Sequence, residues 1–265
     1  MRLHPVARKA MTLMELVVVI GIMALLAAIT IPKLIDVFER SRSGTQAYSI
    51  AEASRMVETH YGIYKKYPDG WDALTDSGSK IYSKLSPNLI GTTATPGTFF
   101  TTHSLTDLQI SSLSRVGMSH VFLHDATSVP SDSGTDRRHF GDGSGHDGTA
   151  NIRTLVAVDK TAGTDGYNLL VNEFNLTPNN STKLLDNNVF IVLGFGPKNT
   201  AVQSVVQGAP LMEHLDPTKY YSRALAVFQV PLTSGASARF VGIFGPDGRT
   251  LKTSISDYQS GEVPH

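Results

Sequence analysis

Apolar positions run almost unbroken through residues 11–31, MTLMELVVVIGIMALLAAITI, where Glu15 is the only charge and Pro32 follows. At about 1.5 Å per residue this stretch makes a helix of about 32 Å, enough to cross a hydrocarbon core of about 30 Å. Beyond Pro32 the pattern becomes amphipathic. Leu34, Val37 and Phe38 form one stripe, and residues 41–45 (SRSGT) interrupt it with poor helix formers and a Gly that costs about 1 kcal/mol against Ala. Ile50, Ser54, Val57, Tyr61 and Tyr64 then resume it in alternating steps of four and three until Tyr67-Pro68-Asp69-Gly70 ends it. The pattern predicts one long helix that bends or softens at 41–45, with Trp71 anchoring its end.

The rest of the chain reads differently. Residues 75–118 are Thr-, Ser- and Gly-rich and predict loop with short helical turns around 81–85 and 105–113. Strands are predicted at 120–125, 152–158, 167–171, 189–193, 224–230, 239–244 and 250–255, with Pro246-Asp247-Gly248 turning the last two into an antiparallel hairpin. Short helices are expected at 200–207 and 211–215. The fold class is therefore α+β: a long N-terminal helix packed on a C-terminal antiparallel sheet. The divisions are a basic leader at 1–10, a membrane-spanning helix at 11–31, its amphipathic continuation at 32–67, and a head at 68–265.

Charge sets the orientation. Arg2, Arg8 and Lys9 crowd the leader, whereas Lys33 and Arg40 are mixed with Asp36 and Glu39 after the apolar run. Basic residues stay on the cytoplasmic side, so the head lies across the membrane. Overall, 23 basic residues balance 23 acidic ones, which gives no bulk attraction to nucleic acid. Removing the leader takes three basic residues and no acid, leaving a net of −3 on the rest. The absence of cysteine excludes disulfides, thiolate metal sites and cysteine nucleophiles. A secretory signal cut near Ala27-Ala28-Ile29-Thr30 is the alternative use of the apolar run, but Glu15 argues against it. An intramembrane carboxylate costs about 1–3 kcal/mol at shallow depth and points to a function.

Candidate chemistry in the head is sparse. On a strand His120, Phe122 and His124 share one face, so two imidazoles could flank a metal; a solvent-facing pair is the expectation, and no metal site is assigned. Asp142, Ser144 and Asp147, set among glycines, offer oxygen ligands for calcium but lack the EF-hand spacing. An exposed loop is expected there, and no cofactor. Arg137, Arg138, His139 and Phe140 are read as part of a solvated loop rather than a nucleic-acid contact. No phosphate-cradling loop, G-x-S-x-G elbow or H-E-x-x-H occurs, and no enzymatic activity is expected.

Lys9-Ala10-Met11-Thr12-Leu13-Met14-Glu15, followed by the apolar run and Pro32, resembles the class III signal of type IV pilins and of the pseudopilins of type II secretion systems. The resemblance covers about residues 8–38. It implies that a prepilin peptidase cuts between Ala10 and Met11 and methylates the new amine. Glu15 and Pro32 then stand four and twenty-one residues beyond the new terminus, the family's usual spacing. Ala10 replaces the family's usual Gly, and Met11 its commoner Phe. The family also implies a pilin-like head, a bacterial inner-membrane precursor, and self-assembly with other pilin-like subunits through an inner-membrane platform into a filament. There Glu15 would accept a neighbouring subunit's N-terminal amine, so that two costly groups neutralise each other. The competing expectation is a single-pass anchored binding or enzymatic domain, for which Glu15 has no use.

Overall fold

The computed structural model describes residues 12–76, 80–91, 98–124, 130, 134, 136–141, 151–176, 184–202, 204–212, 215–233 and 235–260. Helix α1 spans Leu13–Tyr64, and its 52 residues make a rod of about 78 Å. Thr12 starts it with a reciprocal cap: its Oγ1 accepts the Glu15 N–H, while Glu15 Oε2 accepts the Thr12 N–H at 2.9 Å. Lys65 ends it in the left-handed region, donating its N–H to Tyr61 O.

The helix runs without a break through 41–45. Packing explains the glycine. The Tyr258 ring lies so close that a Cβ on Gly44 would meet it at 3.3 Å. From Ser43 onward α1 buries Gln46, Ala47, Ile50, Ala53, Val57 and His60 at spacings of three and four. Ile50 and Val57 match the expected stripe, but Tyr61 and Tyr64 do not and stay 40% and 51% exposed. Small Ala53 packs into the core that the helix shares with the sheet, and Tyr61 instead stacks on Tyr67 at 4.6 Å.

Among the described residues, nine strands build the head: β1 (Trp71–Ala73), β2 (Phe100–Ser104), β3 (His120–Leu123), β4 (Asp136–Phe140), β5 (Asn151–Ile152), β6 (Thr154–Val158), β7 (Asn188–Gly194), β8 (Leu225–Pro231) and β9 (Arg239–Phe244). Helices α2 (Pro87–Ile90), α3 (Asp107–Arg115), α4 (Asp165–Asn168) and α5 (Leu251–Ser260) accompany them, α4 running into a π-helical turn at Leu169–Glu173. Strand β7 is the spine. It pairs along its whole length with β8, while its other edge takes β6 at Ile191 and β1 at Leu193 and Gly194.

The α+β class holds, but the sheet is mixed, not antiparallel: β1 runs parallel to β3, and β4 parallel to β5. Between β1 and β3 lie α2, β2 and α3, a crossover long enough to return the chain in the same direction. Alternation along β7 sends Val189, Ile191 and Leu193 to the core that meets α1, and Phe190 and Val192 to a second core on the opposite face. Both faces are covered, so the strand reads as a continuous apolar run.

Several local expectations are overturned. Residues 250–255 are not a strand: after the turn at 245–248, Thr250 makes one bridge to Phe244 and then caps α5, accepting the Thr253 N–H on its Oγ1. Residues 167–171 are helical because Thr164 caps that segment through the Tyr167 N–H. Strand β2 arises where loop was expected, pairing with β6 over five residues. Residues 137–140 are strand β4, registered on β3, not loop. Residues 200–202 and 204–207 form turns with a Val202–Val206 bridge rather than a helix, and Leu211 bridges Arg223. Trp71 does seal the helix end: fully buried, it donates Nε1–H to Pro68 O and packs edge-on against Phe195 and Phe228.

Candidate functional site

The N-terminal part of α1 lies bare of the head. No residue from Leu13 to Arg42 is buried, so about 45 Å of rod is uncovered. Between Leu13 and Phe38, 17 large apolar side chains are exposed. At about 1.5 kcal/mol each for burial, leaving them in water forgoes on the order of 25 kcal/mol, more than the net stability of a typical domain. The segment is long and apolar enough to cross a membrane once, near the N-terminus.

Two predicted site residues fall on this rod. Glu15 sits at its first turn, where Oε2 takes both the Thr12 N–H and, at 3.0 Å, the Thr12 hydroxyl. Oε1 carries no hydrogen bond from the described residues. Pro32 lies inside the helix, where its missing N–H leaves the Ala28 carbonyl without its helical partner. Nearby, the Thr30 hydroxyl donates to Leu26 O at 2.9 Å and satisfies itself within the rod. Ala10 and Met11 lie outside the described residues, as do Asp142, Ser144 and Asp147 of the possible calcium loop.

The head separates the histidines that the sequence placed on one face. His120 and His124 do share that face, but His124 is not solvent-facing: its side chain is fully enclosed, stacked on Tyr82 at 4.9 Å and met edge-on by Tyr221. Asp72 lies beneath it, accepting the Tyr221 hydroxyl at 2.9 Å on Oδ2, with His124 Nε2 at 3.5 Å. Two glycines make room for this knot. A Cβ on Gly194 would stand 2.0 Å from Tyr221 Oη, and one on Gly196 2.2 Å from Asp72 Oδ2. Burial, and then the Asp72 charge, push the Tyr221 phenol well above its ordinary range, so it remains a donor.

His120 instead joins Asp69 and Ser119. Asp69 Oδ1 accepts the backbone N–H groups of Ser119 and His120, while Oδ2 takes the Ser119 hydroxyl and faces His120 Nδ1 at 2.9 Å. Burial penalises the Asp69 charge, but the hydrogen bonds from His120 and Ser119 outweigh it and hold the carboxyl below its ordinary range. These are the residue types of a hydrolytic triad in the wrong order, because the carboxylate occupies the middle. The Ser119 hydroxyl donates its hydrogen bond to Asp69, and its Oγ meets His120 at the same Nδ1 that faces the carboxylate. The arrangement fastens the chain before β1 to the start of β3. Across the strand pair the His120 and His139 rings are 5.7 Å apart, but among the described residues no group of three or more such side chains could hold a metal.

No protein-family model, no curated protein and no solved structure matches this chain.

Proposed function

We propose that this chain is a structural subunit of a type IV pilus-like or type II secretion pseudopilus filament. In this account a prepilin peptidase cleaves it before Met11, and it assembles from the bacterial inner membrane through α1 with its head extracytoplasmic. The observation that carries the reading is the bare, apolar first part of α1, with Glu15 as its single charge up to Ile31. A tether needs the apolar surface but gains nothing from the carboxylate. A filament of packed helices covers the surface and neutralises the charge with a cation from another copy. The Asp69 and Asp72 clusters support a fastening role in the head, and no catalytic step is assigned to them.

The test is Glu15→Leu in cells carrying the assembly machinery. Membrane insertion stays at the wild-type level and incorporation into sheared filaments is lost. Wild-type filament yield from Glu15→Leu assigns α1 to simple anchoring.

A further inference from the structure

Where the bare rod meets the head, α1 and α5 leave a groove of about 800 Å³, lined by Val37, Arg40, Ser41, Gly44, Tyr48 and Tyr258. Its walls are largely apolar, yet Arg40 sits among them, and no ion pair with a described residue holds it. Its neighbour Arg42, by contrast, pairs with Glu39 at 3.4 Å. At the other end of the rod, Thr12, Met14, Val18 and Val19 flank Glu15 on the exposed surface of the helix. Among the described residues, Arg40 in its groove and Glu15 on its apolar helix surface thus each lack an ion-pair partner. They cannot meet within one chain, because the 25 positions that separate them hold them about 38 Å apart on a continuous rod.

We infer that Glu15 of one copy docks in the α1–α5 groove of a second copy, against Arg40. The occupant is identified by charge and length: a parallel copy displaced by about 38 Å brings the open Glu15 Oε1 to the guanidinium while the apolar walls close around both. The inference rests on the filament reading and adds to it a subunit stagger and a second cation for Glu15. Glu15 has the acceptors for both, since an ionised carboxylate offers about four lone-pair sites. Tyr48 and Tyr258, 70% and 54% exposed in the single chain, become buried walls of this contact.

Because the chain has no cysteine, crosslinking reads the contact without touching either charge. Val19→Cys and Ser41→Cys are expressed together, and isolated filaments are treated with a short bismaleimide. The expected product is a dimer that needs both variants, and Ile29→Cys in place of Val19→Cys gives far less. Arg40→Glu lowers filament yield by roughly tenfold or more, as expected for opposing an enclosed carboxylate with a like charge. Arg40→Lys retains most assembly, and Lys33→Glu loses much less than Arg40→Glu. Filaments that form normally with Arg40→Glu overturn the inference, as does equal crosslinking from Ile29→Cys or none from Val19→Cys. Those results leave the filament reading standing, whereas a wild-type chain that never enters filaments removes both.

Discussion

Tyr221→Phe tests the buried knot that holds β1 against the far end of the sheet. The substitution keeps the ring, and with it the edge contact to His124 at 5.4 Å, and deletes only the hydroxyl that donates to Asp72 at 2.9 Å. Asp72 is fully buried and its Oδ1 has no hydrogen bond from the described residues. With the phenol lost, the carboxyl keeps His124 Nε2 as a polar neighbour, at 3.5 Å and beyond a good hydrogen bond. Water cannot enter easily, because the backbone at Gly194 approaches so closely that a Cβ there would lie 2.0 Å from the missing oxygen. Removing a hydrogen bond to a charged group costs about 1.5–3 kcal/mol. Taking about 2 kcal/mol, and about 2–4 °C per kcal/mol for a chain of this size, the melting temperature falls by about 4–8 °C. Circular dichroism melts of the full chain in detergent measure this at neutral pH. A shift within about 1 °C of wild type refutes the assignment of Tyr221 as the donor that satisfies Asp72.

Asp69→Asn tests the clasp between the start of β1 and β3. Its carboxyl titrates below the ordinary value of about 3.9 in the fold, so its stabilisation is complete above that value and disappears as pH falls through the lower folded one. Melting of wild type and Asp69→Asn across pH 2–7 therefore shows the widest gap at neutral pH and a narrowing gap below about pH 4; a gap that stays constant contradicts the clasp. Gly70→Ala costs about 1–3 kcal/mol in a urea titration, since φ is +72° and the new Cβ would meet Lys198 O at 2.8 Å. A neutral result would show that the turn after α1 relaxes freely.

The parts of the fold that the sequence revealed are those decided locally. The first part of α1 announces itself because 21 residues contain one charge; its start one residue later than Thr12 is set by the capping box of Thr12 and Glu15. Strands β7, β8 and β9 were legible as β-branched and aromatic runs stopped by Gly or Pro. Helix α5 was not, because Thr250, Thr253 and Ile255 favour extended backbone by propensity. What decides is the Thr250 cap and the seat of Tyr258 at Gly44, 214 positions away in sequence. Strand β2 was hidden for a related reason: Phe100 is its only large apolar residue, and its partner is β6.

The head's polar clusters were hidden by distance along the chain. Asp69 reaches His120 across 51 residues, and Asp72 reaches Tyr221 across 149. The one signal available was the pair of glycines at the end of β7, Gly194 and Gly196, whose missing side chains admit Tyr221 and Asp72. Glu15 and Pro32 could be singled out because their meaning comes from position within an apolar run, not from a partner in the same chain.

Intact mass spectrometry of the protein extracted from its native membrane tests the filament-subunit account most directly. The account predicts a chain lacking residues 1–10, beginning at Met11 and carrying one added methyl group. A full-length chain, or one cut beyond Ala28, contradicts prepilin processing and leaves α1 as an anchor or a secretory signal.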